Sequence, residues 1–332
     1  MVRGKIKLFL TIFIMVIVYA LIISGIRVAS TREKSPLSGM AVKEQQDLVV
    51  EKKREMEERE KAENEKYIRQ KISMLADKYI GNTGYEVYIG VYNLDKRIYA
   101  GYNDDIPFYP ASLTKPLYMA AFLKKAEKEG FSLDQKYILK EEDKYVGREK
   151  VEGTGILQGE SPGETYTYNE LLYFMMCYSD NVAANIILER TGFNEVNRYC
   201  FENGLKLTHI YRKYYEMSDD KPSNQTTARD LTIFLAGLVE DADKGDEVLL
   251  SILKLMQKNT DKNRIPRYLS PELTIANKTG TVPRLVGDMA VIYFPDRAPF
   301  VLTIIVCSKD KKEINLAQAE EIIACIARDL LK

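Results

Sequence analysis

Pro110-Ala-Ser112-Leu-Thr-Lys115-Pro places a hydroxyl and an amine three residues apart. On a helix that spacing puts both groups on one face. At a helix start, free backbone N–H groups and the helix dipole favour developing negative charge. A serine hydroxyl is a weak nucleophile until a base takes its proton. A lysine becomes that base when desolvation or a neighbouring cation holds its amine neutral. Taken alone, the pair also fits a capping serine followed by a solvated lysine. Cys177-Tyr-Ser179-Asp180-Asn181 stands ahead of an apolar helical run. Its plain reading is a helix cap. Its chemical reading gives Ser179 a proton-shuttling hydroxyl and Asn181 a donor for a substrate amide carbonyl, with Asp180 bracing the loop. Lys278-Thr279-Gly280-Thr281 ends an expected strand that starts at Thr274. A strand edge binds extended chains by main-chain pairing. Lys278 and Thr279 suit a carboxylate, and Gly280 permits close approach.

The elements that must position these clusters are legible in outline. Tyr85–Tyr92 reads as a strand and Arg97–Ala100 as its hairpin partner. Helical patterns dominate from Ser112 to about Leu255. Thr274–Lys278, Met289–Phe294 and Phe300–Cys307 are strand candidates, and Leu316–Leu331 is an amphipathic helix. Strands at both ends with helices between predict an α/β (α+β) fold. An antiparallel sheet is assembled from both ends of the domain, flanked by helices, with an inserted all-α lobe. A site between the lobes is expected.

Composition narrows the chemistry. Among 332 residues, 48 Lys and Arg balance 48 Asp and Glu, which removes the basic surface that nucleic-acid binding needs. Four cysteines cannot form a disulfide framework. The single histidine, His209, excludes multi-imidazole zinc sites, so no metal and no cofactor is expected. His209 itself reads as structural, and Cys177 as a small buried apolar residue. Gly159-Glu-Ser161-Pro-Gly163 matches a nucleophile-elbow pattern. The N–H required after the serine falls on Pro162, which has none, so the segment reads as a turn. Tyr145 is a candidate for lining the site.

The domain layout read from the sequence is a basic N-terminus (1–7), a transmembrane anchor (8–26), a charged stalk (27–66) and a hydrolase-like domain (67–332). The uncharged run Leu8–Ile26 would span about 28 Å as a helix, close to the bilayer hydrocarbon core. A cleaved signal ending near Val28-Ala-Ser30 is the alternative. Positive charges on both flanks tie, so they do not orient the helix. In the stalk, Glu51–Lys61 interleaves both charge signs at helical spacing. Its apolar residues are too sparse for a persistent coiled coil. A cell-membrane, single-pass monomer with its domain outside the cytoplasm is the expected arrangement.

Ser-x-x-Lys, Ser-Asp-Asn and Lys-Thr-Gly, in that order, resemble the motif set of class A β-lactamases and penicillin-binding proteins. The resemblance spans about residues 75 to 332. It extends to Gly153-Thr-Gly-Ile-Leu157 and to Gly287-Asp288-Met-Ala-Val-Ile. It implies that Ser112 is the acylated nucleophile, with Lys115 and Ser179 handling its proton. The N–H groups of Ser112 and Thr281 would form the oxyanion hole. Asn181, Lys278, Thr279, Gly280 and Thr281 would bind substrate. The implied partner is a β-lactam, or an acyl-D-Ala-D-Ala amide of a peptidoglycan stem peptide. Three activities follow: β-lactam hydrolysis; D-Ala-D-Ala peptidase or slow-deacylating penicillin-binding behaviour; or an inactive cell-wall-binding or β-lactam-sensing domain.

Two departures from the resemblance matter. The family's deacylating Glu-x-x-Leu-Asn string is absent. Counting from Asn181 offers Glu216 as the base, whereas matching Thr208 and Arg212 to the family's loop puts Tyr214 in that place. Beyond Lys278-Thr-Gly, Arg284 is the candidate for holding a substrate carboxylate, from an unusual position.

Overall fold

The computed structural model describes residues 36–81, 83–310 and 312–332. The Leu8–Ile26 segment lies outside them. Among the described residues no helix is long and apolar enough to cross a membrane. The chain divides into two units between Glu60 and Lys61. Helix α1 (Pro36–Ile80) is continuous through that boundary. Its first part carries i,i+4 pairs such as Lys53–Glu57 and Arg54–Glu58, each worth about 0.2–0.5 kcal/mol. Within the second unit its last turns bury Ile72, Leu75, Ala76 and Ile80.

That second unit is built on a five-stranded antiparallel sheet. Its strands are β1 (Tyr85–Asn93), β2 (Ile98–Tyr102), β7 (Thr274–Val282), β8 (Leu285–Tyr293) and β9 (Phe300–Ser308). They run in the spatial order β2-β1-β9-β8-β7, so the sheet joins the two ends of the domain as the sequence predicts. Strand β8 is buried along nearly its whole length, because both sheet faces are covered, and apart from Asp288 it reads as a near-continuous apolar run rather than an alternating one. One face packs on the end of α1 and on α8 (Leu316–Leu331), through Val87, Ile89, Ile304, Ile323 and Ile326. The other face meets the helical lobe.

The lobe contains α2 (Lys115–Glu129), α3 (Tyr168–Cys177), α4 (Asn181–Thr191), α5 (Phe193–Glu202), α6 (Ala228–Asp243) and α7 (Glu247–Gln257). Three short strands, β3 (Lys136–Ile138), β4 (Tyr145–Val146) and β5 (Glu149–Lys150), cross between α2 and α3, and β6 (Thr165–Thr167) pairs with β3. Leu117, Phe122, Leu171, Met175, Ile187 and Leu235 form part of the lobe's core. Its helix starts follow local chemistry. Thr167 and Glu170 make a reciprocal capping box on α3, and Asp180 caps α4 through Ala183 N.

The strand holding Lys278-Thr-Gly-Thr runs from Thr274 to Val282, one residue past the expected end. Gly280 and Thr281 pair with Gly287 and Val286 of β8, so the motif lies inside a registered strand.

Candidate active site

Ser112 lies in a 3-10 turn (Ala111–Thr114) that leads directly into α2. This is the helix-start placement the Ser-x-x-Lys spacing predicts. Strand β7 passes tightly against that turn. A Cβ on Gly280 would fall 2.8 Å from Leu113 Cγ and 3.2 Å from Pro110 O, so only glycine lets the strand come this close. The contact brings Thr279–Thr281 beside the nucleophile. β7 is also one of the two edge strands of the sheet, which leaves one side free of strand pairing.

The second motif meets the first from the helical lobe. Lys115 is fully buried. Its Nζ donates to Ser179 O (2.5 Å), Ser179 Oγ (3.1 Å) and Asn181 Oδ1 (2.8 Å). Lys278 Nζ reaches the same Ser179 Oγ at 3.0 Å, and the carbonyl of Thr279 at 3.0 Å. One hydroxyl therefore accepts from two lysines, and its own proton is left to donate outward. Asn181 Nδ2 donates to Glu152 O (2.8 Å). Asp180 braces the loop as expected: Oδ2 accepts from Ile156 N (2.7 Å) and Leu157 N (2.9 Å).

The two lysines set the electrostatics. Burial, reinforced by the positive charge of Lys278, holds the Lys115 ammonium well below the ordinary lysine range. Burial also brings Lys278 down to about 8, with Asp288 opposing the fall. Asp288 is itself pushed up to about 7 by burial. A depressed lysine holds a neutral, proton-accepting amine at lower pH than a solvated one. In the resting state the Ser112 hydroxyl makes no hydrogen bond among the described residues, so Lys115 must release one of its three acceptors before it can take the serine proton. Such tightening is common when substrate binds.

Backbone strain concentrates here. Of the five non-glycine residues with positive φ among the described residues, Ala111 (49°), Ser179 (55°) and Tyr215 (66°) border this site. Strain of this kind persists where the surroundings over-determine it, and it clusters at active sites.

The loop from Thr208 to Thr226 forms the remaining wall. Its neck is closed by His209, whose N and O pair with Gln225 at 2.9 and 3.0 Å, and by Thr208 Oγ1, 2.8 Å from Thr226 Oγ1. The His209 ring stacks on that of Tyr211. Asn185, one helical turn beyond Asn181, clamps the loop backbone. Its Oδ1 accepts from Tyr214 N (2.8 Å) and its Nδ2 donates to Tyr214 O (3.1 Å). That clamp turns the Tyr214 side chain inward. Its Oη donates to Ala111 O (2.9 Å) and lies 3.2 Å from Thr114 Oγ1. Lys115 Nζ sits 4.7 Å from its ring centre. Burial raises the Tyr214 phenol well above its ordinary range, so it stays protonated near neutrality.

Glu216, the carboxylate offered by counting, is placed differently. One oxygen accepts from Lys213 N (2.9 Å) and the other pairs with Lys221. Burial tends to raise its pKa, but these two partners outweigh burial and lower it. Among the described residues no carboxylate is hydrogen-bonded to Ser112, Lys115 or Ser179.

Arg284 lies exposed in the turn between β7 and β8. The guanidinium that reaches the motif is Arg264, which the sequence reading missed. It is buried and donates to Gly280 O (3.0 Å), Gly287 O (2.6 Å) and Thr281 Oγ1 (2.6 Å). Tyr145 lines a cavity of about 470 Å³ with Tyr137, Asn185 and Lys213; Ser112, Lys115, Ser179 and Lys278 do not border it. Ser161 is exposed in a turn, as Pro162 leads one to expect. All four cysteines are unpaired and buried.

A serine nucleophile at a helix start, a desolvated lysine and a shared serine hydroxyl, set against a sheet edge and a helical lobe, define a serine β-lactamase-like acyl-transfer hydrolase. Comparison with known proteins agrees. The Beta-lactamase enzyme family matches residues 67–332, and this chain belongs to it. A β-lactamase of Citrobacter koseri is 26% identical over 253 residues, covering 71% of this chain and 78% of the relative. Among solved structures, the β-lactamase of Sphaerobacter thermophilus superposes with a TM-score of 0.71 at 23% identity, over 79% of this chain and 96% of that one. A leucine-to-glutamate mutant of PBP-A, solved as its acyl-enzyme with penicillin G, superposes with a TM-score of 0.68 at 24% identity, over 80% and 95% of the two chains.

Proposed function

We propose that this hydrolase is acylated on Ser112 by β-lactams, or by the acyl-D-Ala-D-Ala end of a peptidoglycan stem peptide, and that its β-lactam acyl-enzyme is long-lived. Acylation is the step the site is equipped for. Lys115 takes the Ser112 proton, and the Ser179 hydroxyl passes a proton to the leaving nitrogen. The N–H groups of Ser112 and Thr281 receive the oxyanion, while Lys278 and Thr279 meet the substrate carboxylate.

The observation that carries the slow second step is Tyr214. Hydrolysis of the ester needs a base within a hydrogen bond of the attacking water. The loop residue facing the nucleophile's turn is a protonated phenol whose proton is already given to Ala111 O. Asp180, the nearest motif carboxylate, spends its oxygens on backbone N–H groups. The rival reading, rapid β-lactam hydrolysis, has one feature in its favour: Glu216 is on the same loop and its pKa is lowered. It would have to leave Lys221 and the Lys213 amide to act.

Intact-mass measurement of the protein mixed with penicillin G, followed over hours, separates the readings. A persistent adduct is expected. A transient one would establish β-lactamase turnover, and none at all would mean a binding or sensing domain. We further propose that Leu8–Ile26 anchors the chain with its domain outside the cytoplasm, where both substrate classes occur. Retention of full-length protein in carbonate-washed membranes tests that; mature protein beginning after Ser30 and free in the medium would overturn it.

A further inference from the structure

Away from the acylation site, the helical lobe holds a cavity of about 470 Å³, within the ~300–1,000 Å³ range of small-ligand sites. Its walls come from the stretch between β3 and β4, the start of α3, the second half of α4 and Lys213 of the loop. Neither Gly153, Asn181 nor Tyr215 borders it. The floor is aromatic. Tyr168 is only 6% exposed. Its ring stacks on Phe122 at 5.5 Å and meets Phe131 edge-on at 5.0 Å and Tyr137 at 6.2 Å, so packing fixes its direction. Yet the Tyr168 hydroxyl has no hydrogen-bond partner among the described residues. Polar groups this deep are paired in the great majority of cases. Burial raises the phenol, with Arg190 opposing the rise, so it keeps its proton and can donate to an incoming oxygen.

The remaining polar groups show what that ligand carries. Tyr137 Oη already donates to Asp143 Oδ1 (2.7 Å), and both polar atoms of Asn185 are occupied by Tyr214. The other charges come as pairs of opposite sign. Lys140 stands 3.7 Å from Glu142 on the β3–β4 side, and Lys213 stands 3.0 Å from Glu189 where the loop meets α4. Three of these four side chains are exposed, and pairs of that kind are worth only about 0–1 kcal/mol, so a ligand can replace them. A ligand of one sign would engage one member of a pair and strand the other. A ligand with both signs engages both. We propose that this cavity is a second binding site, separate from the acylation site, and that its ligand is a short zwitterionic peptide. Its amine and carboxylate groups meet the two ion pairs, and a carbonyl accepts from the Tyr168 hydroxyl. The Tyr145 ring, 40% exposed, is the open wall for the peptide's apolar parts. Nothing in this site requires the chemistry of Ser112.

The test is calorimetric titration of the full chain with the tetrapeptide L-Ala-γ-D-Glu-L-Lys-D-Ala. This probe carries charges of both signs and has no D-Ala-D-Ala bond with which to acylate Ser112. Saturable binding is expected. Tyr168→Phe keeps the ring and removes only the unpartnered hydroxyl; it should raise Kd about three- to tenfold, the worth of one hydrogen bond. Tyr145→Ala, on a different wall, should also weaken binding, and Lys278→Ala should leave it unchanged. Acetylating the amino terminus and amidating the carboxyl terminus of the peptide should raise Kd about two- to fivefold. Absence of binding to wild type at millimolar peptide would overturn the proposal. So would wild-type affinity in both Tyr168→Phe and Tyr145→Ala. Affinity lost in Lys278→Ala but kept in the two tyrosine variants would put the peptide at the acylation site and overturn it too. Equal affinity for the free and capped peptides would overturn the zwitterionic assignment.

Discussion

On the sheet side of the site, Lys278 to Thr281 lie inside a nine-residue strand, paired residue for residue with β8. Arg264 stitches that pairing across Gly280 and Gly287. On the loop side, Tyr214 to Lys221 have no ladder. They hang from a neck at His209–Gln225 and from side-chain amides, Asn185 on Tyr214 and Asn224 on Tyr211 and Arg212. The sheet wall carries every group that acylation uses from that side. The loop wall is where a deacylating carboxylate would have to stand, and it offers a phenol. A rigid wall keeps a geometry that chemistry demands to a fraction of an ångström. A loop held by side chains rather than by a strand ladder changes its residues at less structural cost. On the function proposed above, this contrast would let the acylation half of a two-step reaction be kept while the deacylation half is altered.

The sharpest way to break this contrast is to remove the acylation machinery and ask whether anything remains. Ser112→Ala should abolish the penicillin adduct, whereas Ser161→Ala should leave it at wild-type level by intact mass. Lys115→Ala should slow acylation by about 10²–10⁴-fold, the usual worth of a general base. Lys115→Arg should fail similarly, because a guanidinium does not deprotonate in a protein. An arginine variant acylating at the wild-type rate would leave Lys115 only an electrostatic part.

A substitution on the opposite wall should act on the other step. Tyr214→Glu places a carboxylate where the phenol now faces Lys115 and the Ser112 turn. The adduct lifetime should shorten by on the order of 10²-fold, the lower end of general-base catalysis, with little change in acylation. Mass spectra taken over time read both steps. A stable, folded Tyr214→Glu protein whose adduct persists as long as that of wild type would show that the loop's residue type does not set the slow step.

The third prediction sharpens the sheet side by pH. Lys115 is depressed, so its neutral form accumulates, and acylation rises, as pH climbs through its lowered pKa. Lys278 titrates at about 8, and it must stay charged to attract a carboxylate. Acylation should therefore fall about tenfold per unit above that pH, giving a bell-shaped profile. In Lys278→Arg the falling limb should vanish from the measured range. A falling limb that survives in that variant would assign it to another group.

The same two walls account for what was legible in the sequence. Ser112, Lys115, Ser179, Asn181 and Lys278 could be read because reaction chemistry fixes residue types at short spacings. That the antiparallel sheet is assembled from both ends of the domain followed from the apolar runs there. Arg264 was not legible, since it precedes β7 and reaches it only by folding back across two strands. The choice between Tyr214 and Glu216 was also open. It is decided by the side-chain amide of Asn185, far from the loop in sequence. That residue sits one helical turn after Asn181, on the same face of α4, and this spacing is the signal that could have found the clamp. Gly280 was read as room for a substrate backbone, whereas in the structure it also admits the Ser112 turn.

The smallest effect is expected at Glu216. As the deacylating base, it would make Glu216→Gln trap the acyl-enzyme and lengthen its lifetime by orders of magnitude. In the structure both oxygens are occupied, one by Lys221 and one by the Lys213 amide. Neither partner belongs to the reacting set. Releasing the carboxylate would leave the Lys213 N–H without its acceptor, and moving it toward Ser112 would require displacing Tyr214, which is anchored at its backbone by Asn185 and at its hydroxyl by Ala111. Glutamine keeps the shape and one acceptor oxygen while removing the charge, so the loop should hold. The adduct lifetime should then match wild type within about twofold, since a surface ion pair of this type contributes only about 0–1 kcal/mol. A lifetime lengthened tenfold or more by Glu216→Gln would place the base on the loop after all and return the protein to rapid β-lactam hydrolysis.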